Sequence, residues 1–224
     1  MSRLSITLVD KDKKKRVNVY ARLWKNYYGK DDVLDKMVLY TVYPPDAKGT
    51  GFMRWGYVAP SKKMADQWLY LPSMRKIRRV SVRDPGDSFL GSDLTYGDIE
   101  ERAVIDDEHR ILKVENVKGV EHYVVESTPR EVGSLYSKRV SWYKRPAEDG
   151  LCVRVKTDYY DTRGSMLKKQ SLTWQKIDGA WAWDKVVVEN VQTRHQSVFS
   201  VTEVKVGVGL KDKQFTERGL KKGM

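Results

Sequence analysis

The stretch GDSFLGSDLTYGDIE, residues 86–100, admits two opposed readings, and the choice between them decides the fold. As chemistry, Gly86-Asp87-Ser88 has the form of a hydrolase nucleophile block, and DDEH just downstream supplies an Asp106-x-x-His109 pair to complete it. As architecture, the apolar Phe89, Leu90, Leu94, Tyr96 and Ile99 interleaved with Gly91, Ser92, Asp93 and Gly97 describe a short amphipathic insertion laid over a sheet, with Ser88 and Asp93 as capping residues. A nucleophile of this kind is displayed on a strand-to-helix turn of a parallel sheet, so the flanking chain arbitrates.

That chain reads as strand after strand. LSITLVDKDKKKRVNVYARLWKN (4–26) places Leu4, Ile6 and Leu8 on one face, then Val17, Val19, Ala21 and Leu23 on one face of the returning run, which predicts a β-hairpin. VLDKMVLYTVYPP (33–45) is apolar on both faces, as a strand covered on both sides must be. DQWLYLPSMRKIRRVS (66–81) is broken at Pro72, which lacks the donor a central ladder needs, and RILKVENVKGVEHYVVEST (110–128) turns back about Gly119. Turn signals at 148–150 (EDG), 161–164 (DTRG) and 178–179 (DG) separate the later runs. The sum is about eleven antiparallel strands in one domain over residues 1–224, with helical turns expected only at 87–101 and in the closing FTERGLKKG (215–223), where Thr216 is a candidate cap.

A meandering sheet gives Ser88 no turn on which to act, and His109 follows it too closely for the order such enzymes use. His109, His122 and His195 lack metal-ligand spacing, the single cysteine, Cys152, excludes an internal disulfide, and no phosphate-cradling glycine loop opens a helix. No catalytic residue, metal or cofactor is therefore expected.

A net charge of +12 favours an anionic partner, be it nucleic acid, a lipid headgroup surface or an acidic protein. Many of these charges alternate with apolar residues, as in MRKIRRVSVR (74–83), the pattern of a solvated sheet face. Basic strands bearing aromatics also suit a single-stranded nucleic-acid binder, but the seven tryptophans and thirteen tyrosines are spread over nearly all strands instead of a few adjacent ones. No apolar run reaches the ~18–20 residues of a helical membrane span, and the N-terminus lacks the apolar core of a signal peptide.

The succession DKMVLYTVYPPDAKGTGFMRW (35–55), DQWLYLPSMRKIRRVS (66–81), DSFLGSDLTYGDIEER (87–102), YSKRVSWYKR (136–145) and GVGLKDKQFTERGL (207–220) resembles the outer-membrane lipoprotein-sorting protein family, a branch of the LolA-like periplasmic lipoprotein and lipid carriers. The resemblance spans essentially the whole chain. It implies a mainly β fold, an incomplete antiparallel barrel of about eleven strands around an apolar cavity lidded by short helices. It also implies a non-enzymatic carrier of acyl chains in the periplasm, working toward the outer membrane, with an inner-membrane transporter of the resistance-nodulation-division type as a membrane partner and no nucleic acid. The family's signal peptide and leading helix are not found ahead of the first strand here, from which a partly uncovered cavity is expected. The candidate wall is Leu39, Trp55, Trp68, Tyr70, Trp142, Trp174, Trp181 and Phe199, with Phe89, Leu90 and Leu94 at the lid. Arg75, Lys76, Arg78 and Arg79 are a candidate basic rim, each charge worth up to about 1 kcal/mol at an anionic membrane surface.

Overall fold

Leu4, Ile6 and Leu8 are all buried, and the sheet grows outward in both directions from the strand that carries them. The computed structural model describes residues 1–80, 86–145 and 152–223; the turn expected at 148–150 lies outside the described residues. The first half of the chain forms β1 (Ser2–Val9), β2 (Lys15–Asn26), β3 (Val33–Tyr43), β4 (Gly51–Tyr57), β5 (Asp66–Leu71) and β6 (Lys76–Val80). The second forms β7 (Asp107–Val117), β8 (Val120–Pro129), β9 (Lys138–Lys144), β10 (Val153–Tyr160), β11 (Met166–Ile177), β12 (Ala180–Asn190) and β13 (His195–Thr202), followed by a short helix α1 (Glu217–Lys222). The strands number thirteen among the described residues, where about eleven were expected.

All thirteen belong to one antiparallel sheet in the order β6-β5-β4-β3-β2-β1-β13-β12-β11-β10-β9-β8-β7. Each half is a meander, and the halves join where β1 pairs β13, with Ile6 opposite Phe199. The outermost strands, β6 and β7, are consecutive in the chain and share no ladder among the described residues. The sheet is an incomplete barrel with its seam between them.

The two faces carry separate cores. On the face called inner below, Leu4, Ile6, Leu8, Leu39, Phe52, Leu172, Val186 and Phe199 form one cluster with Phe89 and Leu94 of the 86–106 insertion. On the outer face Leu23, Val38, Tyr40, Met53 and Trp68 pack under Phe215 and Leu220. β3 thus has Leu39 buried on one side and Val38 on the other, as its unbroken apolar run requires. At six residues α1 is too short to stand alone. It is held by burial of Phe215 and Leu220, about 1.5–3 kcal/mol each, and by Thr216, whose hydroxyl oxygen accepts from the Gly219 amide at 3.1 Å.

Candidate functional site

Topology dictates where residues 86–106 go. The chain leaves the sheet at one edge and re-enters at the other, so the connection crosses the inner face, and its apolar residues are drawn into it. The Phe89 ring meets Phe52 and Tyr96 edge-on, at centroid distances of 6.1 and 5.6 Å. The segment holds no α-helix but two 3₁₀ turns, Phe89–Gly91 and Val104–Asp106, and in the first of them Leu90 (φ 53°) and Gly91 (φ 74°) are both left-handed. A leucine in that region costs roughly 1–2 kcal/mol, offset by the Ser88–Thr95 bridge and by Ser92 Oγ donating to the Phe89 carbonyl at 2.7 Å. The Ser88 hydroxyl donates to the Ser92 carbonyl, while His109 faces Ser127 Oγ (2.9 Å) and the Val104 carbonyl (2.8 Å). Ser88, Asp106 and His109 assemble no triad; Ser88 stands at the N-cap position of the 3₁₀ turn but its side chain makes no capping bond, and Asp93 stands at no N-cap among the described residues.

Asp93 and Asp98 instead pin the insertion to the sheet. Lys168 Nζ of β11 lies 2.5 Å from Asp98 Oδ2 and donates to the Asp93 carbonyl at 2.8 Å. Tyr136 donates to the other Asp98 oxygen at 2.9 Å, and the ammonium sits about 5 Å from the Tyr136 and Tyr159 ring centroids. Burial, and then the Asp98 charge, push both phenols above their ordinary range. The Asp93 carboxylate meets His195 Nδ1 at 2.7 Å and Ser197 Oγ at 2.6 Å on β13.

Beside the insertion lies a cavity of about 760 Å³, within the ~300–1,000 Å³ usual for small-molecule sites. Leu4, Phe89, Leu94, Trp174, Trp183 and Phe199 supply apolar wall. Arg54 of β4 and Trp174 of β11 border the same space, although six strand spacings on a flat sheet would separate those strands by about 29 Å; the sheet therefore curls around the cavity. Residues 204–210 (VKVGVGL) border it as an irregular strap in which Gly207 and Gly209 are left-handed. Met1 and Lys205 exchange backbone hydrogen bonds of 2.8 Å at the strap's start. At its end Lys25 Nζ reaches the Leu210 carbonyl (3.1 Å) and Asp212 (2.7 Å).

One end of the cavity is ionic. Arg54 Nη1 meets Asp35 Oδ1 at 2.9 Å, and Trp24 Nε1 donates to Asp35 Oδ2 at 3.1 Å. Gly56 makes room for this pair, since a Cβ there would fall 2.6 Å from Arg54 Nη1 and 2.8 Å from Asp35 Oδ1.

Of the residues singled out from sequence, Phe89, Leu94, Trp174, Trp181 and Phe199 border the cavity. Leu39 and Leu90 belong to or pack on the adjoining inner cluster without reaching its wall. Trp55, Trp68 and Tyr70 lie on the outer face: Phe52 and Arg54 point inward, so Trp55 alternates outward, and Trp68 and Tyr70 share its side of the sheet. There Trp55 Nε1 donates to the Phe215 carbonyl at 3.0 Å. Trp142 also points away, because its neighbour Ser141 faces inward to Thr157 (3.0 Å); its indole donates to Glu115 at 2.6 Å. The helical turn expected at 87–101 is the 3₁₀ turn Phe89–Gly91, which borders the cavity beside the strap, whereas the turn expected at the C-terminus, α1, sits on the opposite face. Arg75, Lys76, Arg78 and Arg79 are exposed at the β6 edge and the turn before it, Arg79 paired with Asp66.

Sequence reasoning missed Lys168, Arg22, Arg54, Trp183 and the strap. Lys168 had a signal: it shares the inward stripe with Gln170, Leu172 and Trp174, so its ammonium needed a buried carboxylate. Trp183 had one too, since it lies two residues from Trp181 and so on the same face of β12, a face that a bulge opposite Thr173–Trp174 shifts relative to Val186 and Val188.

A family model described as that of an uncharacterized protein matches residues 34–222. A DUF1329 family protein from Desulfovibrio piger superimposes with a TM-score of 0.83 at 26% identity, over 98% of this chain and 90% of that one. The "putative outer membrane lipoprotein-sorting protein domain" of Vibrio parahaemolyticus gives 0.82 at 24% identity, over 98% and 90%. The chain belongs to the family of that model, and its fold is that of the DUF1329 and lipoprotein-sorting structures. A LolA superfamily protein from Nitrosomonas europaea shares the LolA-like fold at a TM-score of 0.66 and 20% identity, over 96% and 89% of the two chains. No curated protein matches.

Proposed function

We propose that this LolA-like chain is a periplasmic carrier that shelters acyl chains of a lipoprotein or lipid from water on their way toward the outer membrane. The observation that carries the reading is the cavity of about 760 Å³ walled by Phe89, Leu94, Trp174, Trp183 and Phe199. Transfer of an acyl chain from a bilayer into water costs about 0.8 kcal/mol per methylene, so a sixteen-carbon chain is retained in the membrane by roughly 12 kcal/mol. A carrier offsets that cost with apolar area alone, and aromatic rings accept chains of varied shape. The task needs no nucleophile and no metal. The exposed cations of β6 then serve to hold the carrier at an anionic membrane surface, where it meets a transporter of the resistance-nodulation-division type.

Mass spectrometry of an organic extract of the purified chain, together with uptake of a fluorescent fatty acid at low and high salt, tests this. A co-purified lipid and salt-tolerant uptake are expected. A clean extract and no uptake overturn the reading.

A further inference from the structure

The cavity has an excess of positive charge at its ionic end. Trp24, Met37 and Arg54 face one another across β2, β3 and β4, and Arg22 and Asp35 lie one step to either side of that row on the same face. Both Asp35 oxygens are taken, one by Arg54 and one by the Trp24 indole. The Arg54 side chain is 6% exposed, and its Nε is buried without a hydrogen-bond partner, an arrangement that costs free energy until an acceptor arrives. Arg22 borders the cavity with its guanidinium carbon 6.0 Å from the Trp24 ring centroid, and makes no ion pair among the described residues. Burial lowers the hold of Arg22 on its proton, and the Asp35 charge offsets this in part. Asp35 is the one carboxylate among the described residues around a space that also borders Arg22, Lys25, Arg54 and Lys205.

We propose that Arg22 and Arg54 form the headgroup subsite of this cavity, receiving the carboxylate or phosphate of an anionic amphiphile whose apolar tail lies along Trp174 and Phe199. The assignment rests on the carrier reading and narrows its cargo from acyl chains in general to those with an anionic head. The guanidinium fork matches either head, because both present paired oxygens to parallel N–H donors. Hydrogen bonds to a charged group are also the ones strong enough to separate ligands that share a tail.

The test is calorimetric titration of the full chain with palmitate, hexadecyl phosphate, hexadecanol and inorganic phosphate. At least one anionic amphiphile is expected to bind about tenfold or more tightly than hexadecanol, and whichever of the two binds better identifies the head. Arg22→Gln is expected to bring its affinity down to that of the alcohol. Asp35→Asn, which removes the competing carboxylate, is expected to tighten it several-fold, and decides the matter alone if the Arg22 variant does not fold. Equal binding of all three amphiphiles overturns the subsite and leaves the carrier standing, as does inorganic phosphate binding as tightly as the amphiphiles. Binding of none overturns both.

Discussion

Lys168 Nζ and Asp98 Oδ2 stand 2.5 Å apart with each side chain only 3% exposed, so the segment crossing the inner face is fastened to β11 by an ion pair that water does not reach. Removing one member of such a pair strands the other charge. Lys168→Met is therefore expected to cost about 3–5 kcal/mol, read as a fall in the urea midpoint. Because the loss comes from the stranded carboxylate, adding Asp98→Asn should return part of it; a double variant no more stable than the single one contradicts the account.

Gly56→Ala tests how tightly the neighbouring ionic end is packed. The added methyl would overlap the Arg54 guanidinium and the Asp35 carboxylate, which can make room only by moving into the cavity they border and disturbing their ion pair. A loss of about 1–3 kcal/mol is expected in chemical denaturation, against a few tenths if the pair shifts freely.

Ser88→Ala separates the two readings of the 86–100 stretch. The hydroxyl serves one backbone carbonyl, so its removal should cost about 1 kcal/mol and leave the rate of model-ester hydrolysis at its wild-type value. A drop in that rate would restore the serine as a nucleophile.

Asp212 ties the strap to β2, and the hydrogen bond from Lys25, then that from Tyr27, hold its carboxyl below the ordinary range. A depressed carboxyl contributes its stability in full above about pH 4 and loses it as the pH falls through the lowered value. The difference in melting temperature between wild type and Asp212→Asn should then be steady from about pH 7 to pH 5 and shrink below about pH 4. A difference independent of pH would dissociate the carboxylate from the strap's hold.

The strands were legible because their alternation and turn residues are local: Leu4, Ile6 and Leu8 declare a face, and Pro72 and Gly119 declare reversals. The insertion was legible as packing material for the same reason. What alternation leaves open is which face of a doubly apolar strand looks inward. Trp55 and Trp68 were assigned to the cavity on size, although their burial is owed to Phe215 and Leu220, well over a hundred residues downstream. The strap and the Arg22–Asp35–Arg54 end were invisible for a related reason, since three adjacent strands must pair in register before those side chains meet.

The seam between β6 and β7 has a mechanical consequence. In a closed barrel the circumference is fixed by its ladders, and making space means breaking hydrogen bonds. Here the sheet's outer strands can part or approach while every interstrand rung described stays intact, and the crossing segment acts as a drawstring fastened at Lys168. For the carrier proposed above, a girth that no described ladder across the seam fixes is what would let one scaffold take guests of unequal bulk.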